Sequence, residues 1–122
     1  MSKTYKQVRD ETTDALWDTG SIFDAVAVER KAQDERFGEQ NRPVLRENGP
    51  ITRKAYEMTG ESWKALNDFL AEDGGLAWDG ILLEEVYEAL SEEDPAKRRV
   101  ELIQVMAVAA AMIQCEDRRA GK

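Results

Sequence analysis

The sequence has 122 residues, of which 42% are hydrophobic and 34% charged, enough for one compact soluble domain and too apolar for a disordered chain. Seventeen Lys and Arg face 25 Asp and Glu, a net charge of −8, which argues against nucleic acid or an anionic membrane as partner. No histidine is present and Cys115 is the single cysteine, so a His-based triad, a His-ligated zinc and an intrachain disulfide are excluded.

Residues 1–20 are polar, with Tyr5, Val8, Leu16 and Trp17 as apolar anchors, and read as an arm or a short helix. They lack the apolar core of a signal peptide. A helix is expected from Ser21, a competent N-cap, to Phe37, with Gly38 at the position just past its end. Residues 38–51 carry Asn, Gly and Pro and read as a loop. A second helix is expected from about Thr52, with Ala55, Met58, Ala65, Leu66 and Phe69 on one face. Gly60 is a weak point in it, and the segment AEDGG ends it. A third helix is predicted over 78–91. Asp94-Pro95 then provides an N-cap followed by proline at the first helical position. The helix that starts there is predicted to reach about Asp117, leaving a frayed tail over 119–122. Trp17, Trp63 and Trp78 fit core or interface positions. The whole reads as an all-α chain, a small bundle of about four main helices within a single domain over 21–118. Its longest apolar run, Val105 to Ile113, is too short to span a bilayer.

Two helices carry the candidate chemistry. On the third, Glu84, Glu85, Glu88 and Glu92 fall within an arc of about 100°, opposite Leu82, Leu83, Val86 and Leu90. One reading is an acidic face turned to solvent. Yet no Lys or Arg stands one turn away within that helix, and the like-charged i,i+4 pairs repel. A divalent cation would turn the repulsion into ligation.

The fourth helix is apolar on every side from Leu102 to Ile113 apart from Gln104, the pattern of a helix buried all round, partly by a second subunit. Glu101 and Gln104 share its stripe with Val105, Val108 and Met112. A buried Glu101 needs a partner, either Lys97 one turn earlier, an arginine elsewhere, or a metal. A hairpin of the two helices brings Glu85 and Glu88 near Glu101 and Gln104. Such an oxygen-only set suits Mg²⁺, with Mn²⁺ as the other candidate.

The stretch LLEEVYEAL followed by RRVELIQVMAVAAAMI resembles the MazG-like all-α nucleoside triphosphate pyrophosphohydrolases, whose signature is EExxE on one helix and ExxD on the next. Glu84, Glu85 and Glu88 match the first motif and Glu101 opens the second. Gln104 stands where the family carries Asp. The segment ERKAQDERFGEQNRP, Glu29 to Pro43, is similar to the ERxxQDxxWG segment of small MazG-like proteins, several of them from phages and actinobacteria, with Phe37 at the usual Trp.

The resemblance implies a helical bundle that oligomerises as a homodimer or homotetramer through its apolar helix. It implies Mg²⁺-dependent cleavage of an NTP or dNTP between the α and β phosphates, giving a monophosphate and pyrophosphate. Glu85, Glu88, Glu101 and Gln104 would be the metal ligands, and Glu84 or Glu85 would orient the attacking water. Lys97, Arg98 and Arg99 would meet the phosphates, or are simply helix-surface charge. Gln33, Asp34 and Phe37 would hold the base, or serve packing and loop anchoring. The expected compartment is a reducing cytoplasm. The competing reading is a catalytically weak or inactive bundle of this type, a nucleotide-binding or protein-interaction module.

Overall fold

The computed structural model describes residues 14–46 and 49–121, so the expected arm falls largely outside the described residues, as does Lys122. Four helices follow in order: α1 Asp14–Phe37, α2 Gly49–Glu72, α3 Trp78–Ser91 and α4 Pro95–Arg119. No strand occurs among the described residues, and no helix among them is long and apolar enough to cross a membrane.

The chain divides into two compact units. One is formed by the segment that ends at Arg42 together with the segment that begins at Ala110, the other by Pro43–Ala109. The continuous helix α4 contributes to both. In the first unit, Ile22 and Ala110 are buried. Ser21, Ile22 and Val26 of α1 and Ile113 of α4 line a groove of about 540 Å³. Helix α1 starts seven residues before the expected Ser21, which lies within the helix with its side chain exposed. Serine costs a helix interior only a few tenths of a kcal/mol, so a competent cap residue need not be used as one. The end matches expectation. Gly38 adopts φ +70°, and its N–H returns to Asp34 O at 2.8 Å, the left-handed cap that glycine adopts without strain.

The second unit contains α2, α3 and the first part of α4. Helix α2 begins at Gly49, earlier than the expected Thr52, and Pro50 falls in its first turn. A fixed φ and a missing N–H cost nothing there. Gly60 does not interrupt α2. It is a point of close approach to α3, where an added Cβ would stand 3.1 Å from Tyr87 Cβ. The Tyr56 and Tyr87 rings lie 6.1 Å apart beside it. Helix α2 closes in a paired cap, with Gly75 N donating to Leu70 O at 2.8 Å and Gly74 N to Ala71 O at 3.3 Å.

Helix α3 has the expected bounds. The turn after it is tied from several sides. Asp94 Oδ1 accepts from Ala96 N at 3.1 Å and Asp94 O from Arg98 N at 2.8 Å, the capping expected of Asp94-Pro95. Arg98 Nη1 donates back to Glu92 O at 2.9 Å and to Glu93 O at 3.4 Å. Arg53 of α2 pairs with Glu93.

Buried side chains are few. Among the described residues the buried hydrophobic positions are Ile22, Ala89 and Ala110. The all-round burial expected of Leu102–Ile113 does not occur within one chain. Leu102, Ile103, Met106 and Ile113 are each 40–48% exposed. Trp63 is half-buried and Trp78 is exposed.

Candidate metal centre

The turn between α3 and α4 folds the helices back so that Glu85, Glu88 and Glu101 each place one carboxylate oxygen within 4.8 Å of the others. Glu85 and Glu88 lie one turn apart on α3, and Glu101 is in the second turn of α4. Gln104 completes the group. Its amide orientation follows from its neighbours. With the nitrogen inward, Nε2 donates to Glu101 Oε2 and Glu85 Oε2, both at 3.1 Å, whereas the opposite placement would oppose oxygen to oxygen. The sequence pattern therefore identified all four residues that meet here.

The electrostatics follow from that crowding. Partial burial raises Glu85 above its ordinary value, and the charges of Glu101 and Glu84 raise it further. Glu88 is raised in the same way, by burial and then by Glu85, Glu101 and Glu84, with Lys64 opposing. A carboxylate whose folded value is raised binds protons more readily in the native state, so stability falls as pH rises through the window between the ordinary and the raised value. Thermal melts of metal-free protein will therefore show a stability gain on acidification through that window. The gain will be smaller in Glu88→Gln and in the presence of saturating Mg²⁺; an unchanged profile in both would contradict this electrostatic account.

Glu84 does not join the three converging carboxylates. Its Oε1 accepts a hydrogen bond from Asn67 Nδ2 of α2 at 3.1 Å. Asn67 was not legible as a site residue, since it lies in the polar register of a helix with no acidic motif. Lys64 also escaped the sequence reading. It lines, with Glu57, Glu61, Glu88, Glu92 and Glu101, an open cleft of about 310 Å³.

The remaining candidates lie elsewhere. Arg98 holds the turn through the two backbone oxygens described above, while Lys97 and Arg99 are exposed on the first turns of α4. Gln33, Asp34 and Phe37 belong to the first unit and line a concave surface at the end of α1. There Arg30 donates to both Gln33 Oε1 and Asp34 Oδ1, and Gln33 Nε2 donates to Glu29 Oε1 at 3.2 Å. The Phe37 ring is 59% exposed, with the Arg36 guanidinium 5.3 Å from its centre.

The donor set fits a hard divalent cation. Its ligand atoms are oxygens with no thiolate or imidazole among them, and the Gln104 amide already bridges two of the three carboxylates. No family model, curated protein or solved structure matches the chain.

Proposed function

We propose that this chain is a Mg²⁺-dependent nucleoside triphosphate pyrophosphohydrolase of the MazG-like type, cleaving an NTP or dNTP to the monophosphate and pyrophosphate. The observation that carries this reading is the convergence of Glu85, Glu88 and Glu101 from the two motif helices on one point. Bound Mg²⁺, or Mn²⁺ in its place, would supply charge neutralisation for the phosphate oxygens and a polarised water. Glu85, Glu88 and Glu101 would hold the cation, with Gln104 turning its carbonyl oxygen inward as a neutral fourth ligand. Glu84, hydrogen-bonded to Asn67, would orient a water and take its proton, a role that falls to a carboxylate in a chain without histidine. Lys64 in the cleft, with Lys97 and Arg99 on α4, would meet phosphate charge.

The same reading includes self-association and a reducing cytoplasm. Exposed Val100, Leu102, Ile103 and Met106 on α4 form apolar surface that a second copy would cover. Gln104 favours a second reading, a module without turnover. Its amide already bridges Glu101 and Glu85, so the group is partly satisfied with no metal.

Incubation with a panel of NTPs and dNTPs plus Mg²⁺, assayed for pyrophosphate, decides between them. The enzyme gives turnover that falls to background in Glu88→Gln and with EDTA. Absence of turnover on every nucleotide with either Mg²⁺ or Mn²⁺ assigns the module.

A further inference from the structure

Asn67 is the buried polar residue among the described residues, at 6% exposure. Its Nδ2 donates twice to α3, to Gly80 O at 2.9 Å and to Glu84 Oε1 at 3.1 Å. Its Oδ1 is buried with no hydrogen-bond partner and lies against Gly80. A buried acceptor left unpaired lowers stability. A small apolar residue would fill this helix crossing without that cost. What the asparagine achieves instead is a fixed Glu84.

Glu84 is the immediate neighbour of Glu85, on the helix that supplies two of the three convergent carboxylates. A glutamate side chain has several rotamers, and a bound cation would attract this one as it attracts the others. The hydrogen bond to a buried, two-point amide selects one placement. We propose that Asn67 is a positioning residue that ties Glu84 to α2 and so keeps it out of the ligand set formed by Glu85, Glu88 and Glu101. The inference rests on the divalent-cation reading of that cluster. Its consequence is a division of labour between adjacent glutamates, three binding the cation and the fourth standing beside it.

The test is calorimetric titration of the full chain with Mn²⁺ alone, on the wild type, Asn67→Ala, Glu84→Gln and the double variant. Released Glu84 adds a carboxylate to the cation, so Asn67→Ala binds Mn²⁺ about tenfold tighter than the wild type. Glu84→Gln abolishes that gain in the Asn67→Ala background, while in the wild-type background it changes affinity only about threefold. Asn67→Leu, which also lacks the donor and fills more of the space, gives the same pattern if Asn67→Ala fails to fold by circular dichroism. Unchanged affinity in the folded Asn67 variants, or a gain that survives Glu84→Gln, overturns this role for Asn67 while leaving the cation site in place. No Mn²⁺ binding by the wild type overturns the cation reading and the positioning role with it.

Discussion

Replacing Gly80 with alanine is expected to lower stability by about 2 kcal/mol, even though alanine is the better helix former by about 1 kcal/mol. A Cβ at position 80 would stand 2.2 Å from Asn67 Oδ1 and 3.2 Å from Asn67 Cγ. Asn67 is buried and bonded on its other side to Gly80 O and Glu84, so it yields only by giving up both bonds. Overpacking a fitted contact costs about 1–3 kcal/mol and each lost bond about 1 kcal/mol, which together outweigh the propensity gain. Urea denaturation measures the loss directly. Gly60→Ala is the comparison, because its Cβ would meet Tyr87 Cβ at 3.1 Å, a contact that a shift of a few tenths of an ångström relieves. The double variant Asn67→Ala/Gly80→Ala should recover most of the loss, since the obstructing amide is gone. If Gly80→Ala is as stable as the wild type, the close crossing of α2 and α3 at this point is wrong.

Gln104→Asp is expected to act in opposite directions with and without metal. The wild-type amide donates to Glu101 Oε2 and Glu85 Oε2, so it offsets part of the repulsion from Glu101 that adds to burial in raising Glu85. A carboxylate there removes both bonds and adds a fourth negative charge. Metal-free protein should therefore melt lower than the wild type. A divalent cation gains an anionic ligand in place of a neutral one. Even at the dielectric of bulk water, a unit charge at 4 Å is worth about 1 kcal/mol, so the dissociation constant should fall at least about fivefold. The difference in melting temperature between Mg²⁺-free and Mg²⁺-saturated protein should widen accordingly. In the pyrophosphohydrolase reading the substitution also raises turnover at limiting Mg²⁺. A variant that gains no affinity for Mg²⁺ or Mn²⁺ would mean that residue 104 does not face the cation.

The chain's local punctuation was readable because it rests on local chemistry. Asp94-Pro95 caps and starts α4, Gly38 closes α1, and the Gly74–Gly75 pair closes α2. Helix α3 has the bounds its apolar spacing predicts. The meeting of Glu85, Glu88, Glu101 and Gln104 was readable for the same reason, since i,i+3 spacing on two helices joined by a short turn leaves little freedom. The errors concern residues with two competent states. Ser21 caps helices well but is tolerated inside one, and Gly60 weakens an isolated helix but permits a close crossing. Asn67 shows the larger limit. Its partners lie 13 and 17 residues away, on another helix, and nothing in its immediate neighbours announces them. The engagement of Arg98 with the carbonyl oxygens of the turn was hidden in the same way, because a basic residue near a helix start looks like a free cation.

The two close crossings of α2 and α3 have a consequence for alignment. Gly60 faces Tyr87 and Asn67 faces Gly80, so the paired positions lie seven apart on each helix, 60 and 67 on one and 80 and 87 on the other, run in opposite directions. Each helix thus offers one notch and one projecting side chain, two turns apart, and the projection of one enters the notch of the other. The arrangement has the logic of a two-pin key. Sliding either helix by a turn, about 5 Å, would take Tyr87 and Asn67 out of register with the glycines they now face. The two contacts therefore disfavour a one-turn slip of α2 against α3, and the bond from Asn67 to Glu84 belongs to the same alignment.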